Sequence, residues 1–344
     1  METPVPDSGR PTVSVIVPAR NEEASLRVCL ESLSAQRDIH FEIIVVDDGS
    51  TDRTRAIAES FPGIRVIEPG PLPPGWTGKN NAVTAGAREA QGRWLLFTDA
   101  DTVHKTGSLA RAVAESEQHH VDLLSYSPEQ EVRGFWEKAG MPVIFAELAR
   151  KYPPSRISDP SSKLAAANGQ YLLITRSAYD AVGGHAAVAQ SLLEDVALAR
   201  AARNASFKIR FRYGGDAVRT RMYRGFRQMR EGWTKNLSLL FPNAASLALW
   251  RALEFAAVMA CFTMVVLSAL AHDWRHVPFY LILPLMTVLR IAPAHFSWSS
   301  NLLGILGLPF FSYLLLRSKL RHASGTVAWK GRTYPGSAGI KLIS

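Results

Sequence analysis

The stretch Phe41–Asp52 reads FEIIVVDDGSTD, in which the continuous apolar run IIVV (43–46) is followed by acids and small polar residues. Two further apolar runs, VSVIV at Val13–Val17 and WLLF at Trp94–Phe97, lie on either side of it along the chain. Such continuous runs predict strands of a sheet that is covered on both faces. Further strands are predicted at 64–67, 121–126, 171–175 and 207–213, and helices at 22–36, 52–60, 79–91, 107–118, 134–151 and 194–204. This alternation predicts βαβ units and a mostly parallel α/β sheet, which the elements after residue 128 complete.

The amino-acid composition indicates a folded globular protein. The chain has 344 residues, of which 47% are hydrophobic and 20% charged, so it is long enough and apolar enough to fold around a sizeable core. Its two cysteines, Cys29 and Cys261, are too few for a disulfide framework and have no metal-ligand spacing. We therefore expect the catalytic part to lie in a reducing compartment.

Charge is distributed unevenly. Residues 217–344 carry 15 lysines and arginines against three acids, whereas residues 1–216 carry 24 against 27. The basic part also contains the longest apolar runs, a combination that indicates attraction to an anionic membrane surface. No nucleic-acid partner is expected, because the sequence has no binding motif of that kind.

The first basic segment, residues 217–250, contains an apolar stripe. Met222, Phe226, Met229 and Trp233 recur at helical spacing, with arginines on the other half of the helix. This pattern predicts an amphipathic helix in the membrane interface, and the alternative is a helix that packs the same stripe on its own core.

Residues 251–316 hold three apolar runs: 252–271, 277–289 and 296–316. The first and third are long enough to cross a bilayer. The second is short, contains Pro278 and Pro284 and ends at Arg290, so a broken or re-entrant segment is predicted there. The basic tail, 317–344, is predicted to be cytoplasmic. The expected location is the inner cell membrane, with a multi-pass anchor and a cytoplasmic catalytic domain over residues 1–216.

Polar clusters follow the predicted strands where a parallel sheet binds its ligands. VPARNEE (17–23) follows the first strand and VDDGSTD (46–52) ends the second, so Asp48 is a candidate ligand of a uracil or ribose. Ser50 or Asp52 could equally cap the next helix. A G-x-G-x-x-G pattern is absent after the first strand, which argues against a dinucleotide cofactor.

The sequence FTDADT (97–102) ends the fourth strand. Asp99 and Asp101 are two residues apart, so in extended geometry both carboxylates point the same way and could bind Mg²⁺ or Mn²⁺. Lys79, after PPGWTG (73–78), is a candidate for a phosphate or base contact, or is simply solvated.

The sequence LLEDV (192–196) places Glu194 and Asp195 at a predicted helix start. Adjacent acids there are often only partners of the helix dipole. Because a nucleotide and metal site still lacks a base, both are candidate catalytic carboxylates, with Asp195 as the base.

VPARNEE, VVDDGSTD, TDAD and LLEDV, in this order, resemble the family 2 inverting glycosyltransferases, which have the Rossmann-like GT-A fold. The resemblance covers about residues 12–235. LPPGWTGKNNA (72–82), the apolar runs and WKGR (329–332) are similar to the membrane-bound branch that acts on lipids, such as carotenoid and hopanoid-associated glycosyltransferases and ceramide glucosyltransferase.

The resemblance implies roles for individual residues. Pro18, Arg20, Glu22 and Asp48 would hold the nucleotide, Asp99 would contact it near the metal, Asp101 would bind the metal, and Asp195 would be the base. Processive members carry Q-x-x-R-W, whereas this chain reads QMREGW at 228–233. Arg230 and Trp233 are therefore expected to face the diphosphate and acceptor without threading a polymer.

The predicted function is transfer of a sugar, with inversion, from a nucleotide sugar, expected to be a UDP-sugar, to a membrane lipid or isoprenoid. Three alternatives stay open at this point: a processive polysaccharide synthase, a nucleotidyltransferase, and a non-catalytic membrane protein that binds sugar nucleotides.

Overall fold

The structure, a computed structural model, describes residues 9–329 and 332–334. Its strands are β1 (Val13–Ala19), β2 (Phe41–Asp47), β3 (Ile64–Ile67), β4 (Trp94–Phe97), β5 (Thr102–His104), β6 (Leu123–Ser127), β7 (Glu129–Gln130), β8 (Leu172–Thr175), β9 (Ile209–Tyr213), β10 (Val218–Thr220), β11 (Val327–Trp329) and β12 (Arg332–Tyr334). Its α-helices are α1 (Leu26–Ser34), α2 (Thr54–Glu59), α3 (Gly78–Glu89), α4 (Ser108–Gln118), α5 (Phe135–Lys151), α6 (Pro154–Ser158), α7 (Arg176–Ala181), α8 (Glu194–Asn204), α9 (Phe226–Leu240), α10 (Ala244–Leu270), α11 (Val277–Ile291) and α12 (Trp298–Ala323). They form two compact units, one of residues up to Gln130 with Pro154–Arg221, the other of Glu131–Pro153 with the residues from Met222 on.

The first unit contains a seven-stranded sheet in the order β3-β2-β1-β4-β8-β6-β9. Its neighbouring strands are parallel except at β8, which runs antiparallel to both β4 and β6. Val15, Ile16 and Val17 of β1 are fully buried, as are Ile44, Val45 and Val46 of β2. Burial on both faces is the reason these consecutive positions are apolar, and the strand pairing confirms the predicted mostly parallel α/β sheet.

Helix α3 packs tightly against this sheet. A Cβ on Gly86 would lie 2.6 Å from Ile16 Cγ2 and 3.0 Å from Val46 Cγ2, closer than a side chain tolerates. The glycine thus lets α3 approach β1 and β2. A second sheet has three strands in the order β5-β10-β7, and its strand β5 follows the turn after β4.

The second unit is built from α5 and α9–α12. Helix α5 contacts α12 so closely that a Cβ on Gly307 would collide with the carbonyl oxygen of Ala139. From the sequence, the helix at 134–151 was expected to belong to the part of the chain that completes the sheet. In the structure it belongs with the C-terminal helices, because its main partner is α12.

The apolar stripe of α9 is covered within the second unit. Met229 and Trp233 are buried. The Phe226 ring lies 4.9 Å from the Trp136 ring, centroid to centroid, and the Phe145 ring lies 6.1 Å from the Trp233 ring. Met229 and Trp233 of the stripe therefore pack on the unit's own core, as the alternative expected, and the location of this helix in the membrane interface stays a prediction.

Among the described residues, three helices are long and apolar enough to cross a membrane: α10, α11 extended to Ala294, and α12. Most apolar side chains of α10 are exposed, as expected of a helix that faces lipid. Helix α11 is continuous through Pro284, so the predicted break within the second run is not found.

Arg290, near the end of α11, belongs to a buried ion network. Its guanidinium lies 2.9 Å from Glu254 Oε1 and also pairs with Glu147, and Arg251 Nη1 lies 3.7 Å from the same Glu147. Thr287 donates to Glu254 at 3.1 Å. The arginine therefore joins α5, α10 and α11 inside the unit.

Candidate functional site

The polar residues that follow β1, β2 and β4 meet at one edge of the large sheet. The main-chain N–H of Asp48 donates to Ala19 O at 2.9 Å, and that of Thr98 donates to Ile16 O at 3.1 Å. The Arg20 guanidinium donates to Asp48 O. The loops that carry the predicted nucleotide ligands are therefore neighbours.

Asp52 fixes the first two loops to each other. Its Oδ1 accepts from the N–H of Thr54, the first residue of α2, at 3.0 Å, and its Oδ2 accepts from the N–H of Glu23 at 3.1 Å. Burial acts to raise the pKa of Asp52, but the hydrogen bonds from Thr54 and Glu23 outweigh it and lower the pKa. Neither proposed residue stands at the cap of α2, which is Arg53, but Asp52 accepts from the first N–H of the helix, whereas Ser50 Oγ accepts from the N–H of Asn21.

The D-x-D residues occupy a turn rather than extended chain. The N–H of Thr102 donates to Asp99 O at 3.3 Å, and the Thr102 hydroxyl donates to the same oxygen at 2.7 Å. The expectation that strand alternation aligns Asp99 and Asp101 is wrong, because β4 ends at Phe97 and the chain reverses before β5. The turn still places both residues at the carboxyl edge of the sheet.

Lys79 bridges two of the predicted site carboxylates. Its Nζ lies 2.7 Å from Asp99 Oδ1 and 2.7 Å from Glu194 Oε1. Burial acts to lower the pKa of Lys79, but the two adjacent carboxylates outweigh it and hold the pKa well above its usual value. Lys79 is therefore a fixed cation within the cluster, and the solvated alternative is excluded.

Asp195 lies at the start of α8, where two main-chain donors hold its carboxylate. Gly169 N–H donates to Oδ2 at 2.8 Å and Val196 N–H donates to Oδ1 at 2.7 Å. Burial, followed by the charge of Glu194, raises the pKa of Asp195 to about 6, against the opposing effects of Lys79 and these hydrogen bonds. A carboxylate with a pKa near neutrality is suited to accept a proton.

A pocket opens beside this cluster. It is lined by Pro18, Lys79, Val83, Phe97, Thr98, Asp99, Gly169, Leu172, His185, Glu194 and Asp195. Of the predicted residues, the structure thus brings together Pro18, Lys79, Asp99, Glu194 and Asp195.

Six lining residues were not predicted from the sequence, and two of them, Gly169 and His185, lie next to charged or aromatic groups of the site. A Cβ on Gly169 would lie 3.2 Å from Lys79 Nζ and 3.5 Å from Asp195 Oδ2, so a glycine allows this backbone to reach the charged cluster. His185 is buried with its ring centroid 4.5 Å from that of Phe97, and burial lowers its pKa to about 4. The Gly-Gly-His sequence at 183–185 was the available signal for the histidine; no strand or motif marked Gly169.

Other predicted site residues lie outside this pocket's lining. The Glu22 side chain accepts from Ser25 Oγ at 2.9 Å near the start of α1. Arg230 and Trp233 belong to α9 of the second unit, where Trp233 packs edge-on against Phe145 and Tyr223, and the Arg230 guanidinium lies 5.6 Å from the centre of the Phe226 ring. Their roles toward diphosphate and acceptor remain predictions, and Lys330 and Gly331 of WKGR lie outside the described residues.

The carboxylates at this turn suit a divalent metal ion that takes its remaining ligands from the substrate. Within residues 9–329 and 332–334, no three His, Cys, Asp or Glu side chains group as a full metal site. Asp99 and Asp101 nevertheless offer hard oxygen ligands on one turn. Mg²⁺ and Mn²⁺ are commonly held by one or two carboxylates plus phosphate oxygens, so these residues fit such an ion.

Comparison with known proteins agrees with this geometry. Residues 14–183 match the model of glycosyl transferase family 2. The chain is 29% identical over 350 residues to 4,4'-diaponeurosporenoate glycosyltransferase of Staphylococcus aureus (strain MRSA252), with 94% of this chain and 88% of that protein covered. Among solved structures, a mannosyltransferase from Pyrobaculum calidifontis, in complex with GDP-mannose and Mn²⁺, aligns with a TM-score of 0.50 and 18% identity, covering 91% of this chain and 87% of that one.

The family match resolves the alternatives that concern reaction type. A nucleotidyltransferase and a non-catalytic binding protein are set aside, and the structural likeness confirms the GT-A fold. Residues 14–183 form a family 2 glycosyltransferase domain, and the chain is a glycosyltransferase.

Proposed function

We propose that the chain transfers a sugar from a UDP-sugar to the hydroxyl group of a membrane lipid or isoprenoid, with inversion at the anomeric carbon. The observation that carries this proposal is the contact chain Asp99–Lys79–Glu194 beside Asp195, at the carboxyl edge of the sheet. All four side chains line one pocket, which supports a site in which Asp99 faces the nucleotide, Lys79 is a cation and Asp195 is the base.

Asp195 is the proposed base. Its carboxylate is fixed by two main-chain N–H groups, and its raised pKa of about 6 leaves it ionised at neutral pH yet able to take a proton. An acceptor hydroxyl bound in the pocket would lose its proton to Asp195 as its oxygen attacks the anomeric carbon. Attack from the side opposite the leaving diphosphate inverts that centre.

The donor side is proposed to lie at Asp48, Arg20 and Asp99. Lys79 Nζ lies 2.7 Å from Asp99 Oδ1, and its positive charge is proposed to stabilise the departing diphosphate. A divalent ion at Asp99 and Asp101, when bound, would neutralise developing charge on the same leaving group. Uridine is inferred from the sequence resemblance, so GDP-sugars belong in any test as competitors.

The membrane acceptor is supported by two observations. Three helices of the second unit are long and apolar enough to cross a membrane. The Staphylococcus aureus relative is named for action on 4,4'-diaponeurosporenoate, and the match covers 94% of this chain, including those helices. We further propose that the catalytic domain is cytoplasmic and the membrane is the inner cell membrane, as the basic tail predicts.

A carboxylate acceptor is the second candidate, because the relative's name specifies the anion of a carboxylic acid. Such an acceptor is already ionised at neutral pH, since carboxylic acids have pKa values of roughly 4, and it needs no base. The site favours the hydroxyl, because three carboxylates against one lysine would repel an anionic acceptor.

The experiment compares two acceptor classes on purified enzyme in detergent or vesicles. Matched long-chain lipids that end in an alcohol or in a carboxylate are incubated with UDP-glucose, UDP-N-acetylglucosamine and GDP-mannose. The proposal expects product from the alcohol and a UDP-sugar. Product only from the carboxylate would establish the second candidate, and product only from GDP-mannose would overturn the donor assignment.

A further inference from the structure

The loop Val188–Ser191, which leads into α8, is held by the start of α3. Thr77 N–H donates to Ala189 O at 3.0 Å. The side-chain nitrogen of Asn80 lies 3.1, 2.8 and 3.1 Å from the carbonyl oxygens of Val188, Ala189 and Ser191. One amide group therefore binds most of the loop that precedes the Glu194–Asp195 pair.

Asn80 makes this contact only with the two N–H groups of its side-chain amide. The residue is fully buried, and its Oδ1 accepts no hydrogen bond. The reverse orientation of the amide would place that oxygen against three carbonyl oxygens, which repel it. The side chain thus works as a donor at this position, and an unpaired buried acceptor is tolerated in exchange.

Asn80 is also adjacent to Lys79 on the same helical turn. Lys79 contacts Glu194 at 2.7 Å, while Asn80 holds the chain that delivers Glu194 and Asp195. The two neighbours therefore bind the same segment, one through charge at the pocket and one through the backbone behind it. Both contacts therefore bear on the position of Asp195 relative to Asp99.

We propose that Asn80 is a positioning residue for sugar transfer. It holds the Val188–Ser191 loop, and thereby keeps the Asp195 carboxylate at a fixed position relative to Lys79. The inference rests on the proposed role of Asp195. Asn80 is not itself among the residues that line the pocket, so it acts through the loop and not on the substrate. Substitution of Asn80 should change turnover more than binding of the nucleotide sugar, because Arg20 and Asp48, which are proposed to bind the nucleotide, lie on other loops.

The test is Asn80→Asp, which keeps the shape and replaces the donor nitrogen with an oxygen. Asn81→Asp is the matched control: it makes the same charge change one residue away, and Asn81 Nδ2 donates to Gly70 O at 3.3 Å, away from the 188–191 loop. We expect kcat of Asn80→Asp to fall about 100-fold, since small misplacements of catalytic groups cost that much, with the Kd for UDP nearly unchanged. Asn81→Asp should keep most of its turnover.

Asn80→Ser provides a neutral variant in case the aspartate does not fold. A serine reaches fewer of the three carbonyls, so its kcat should lie between those of the wild type and Asn80→Asp. Wild-type kcat in either folded Asn80 variant, or equal losses in Asn80→Asp and Asn81→Asp, would overturn the inference. Asp195→Asn separates the two proposals: near wild-type turnover by Asp195→Asn refutes the base, whereas wild-type kcat in Asn80→Ser beside an inactive Asp195→Asn refutes only the positioning role.

Discussion

Asp195→Asn is the substitution that tests the chemistry most fully. Asparagine keeps the size of the side chain but has one acceptor oxygen in place of two. In the native site both oxygens accept main-chain N–H groups, from Gly169 at 2.8 Å and Val196 at 2.7 Å. One of these donors would then face an NH₂ group, so a loss of about 1 kcal/mol in the free energy of unfolding is expected besides the loss of the base.

The expected loss of turnover follows from the role of a general base. Such a base contributes about 10²- to 10⁴-fold, so kcat with an alcohol acceptor should fall within that range. In the wild type, kcat/KM should decline as the pH falls below about 6, because protonation of Asp195 removes the base. The residual activity of Asp195→Asn should not show this decline at acidic pH.

The assay measures initial rates from pH 5 to 8 with an alcohol and a carboxylate lipid, together with UDP affinity and thermal unfolding. Unchanged UDP affinity would show that the donor site is intact. Near wild-type turnover of the alcohol by a folded Asp195→Asn would refute the reasoning. A large loss with the carboxylate acceptor would also contradict it, because that acceptor needs no deprotonation.

Three further predictions concern the metal, the cation and the membrane unit. Asp101→Ala, or EDTA on the wild type, should abolish transfer, and full activity in EDTA would contradict the metal assignment. Lys79→Met should lower kcat by at least about tenfold, because it leaves the buried Glu194 and the half-buried Asp99 without their cation; an unaltered rate would remove Lys79 from the site. Arg290→Met should reduce stability in detergent by about 3 kcal/mol, as it leaves the buried Glu147 and the half-buried Glu254 short of a partner. Arg227→Met, at an exposed pair with Glu231, should cost less than about 1 kcal/mol, and equal melting temperatures for the two variants would refute this account of the network.

Strands that are buried on both faces were predictable because burial dictates their composition. The bounds predicted for β3, β4 and α8 agree with the structure. The short strands β5, β7 and β10 were missed, since two or three residues carry no periodic signal and their pairing partners are distant in sequence. The turn at Asp99–Thr102 was missed for a related reason: nothing local marked the end of β4.

Helix α5 shows a different limit of the sequence. It was predicted as a helix, but Ala139 and Gly140 give no sign that their partner is α12, more than 150 residues later. Removing the chain after residue 250 would therefore strip α5 of its main contact as well as removing the apolar runs. In the candidate site, motif residues were predictable, whereas Gly169 and Asn80 act through backbone contacts that only the folded chain reveals.

Transfer of a sugar from a nucleotide donor to a membrane lipid can be measured in membranes that contain the enzyme. These membranes are incubated with radiolabelled UDP-sugars, and the products are separated by organic extraction. We expect labelled lipid in the organic phase with the wild type and none with Asp101→Ala. Label in an insoluble polymer would instead support a processive synthase, and the absence of labelled lipid with every UDP-sugar would contradict the claim.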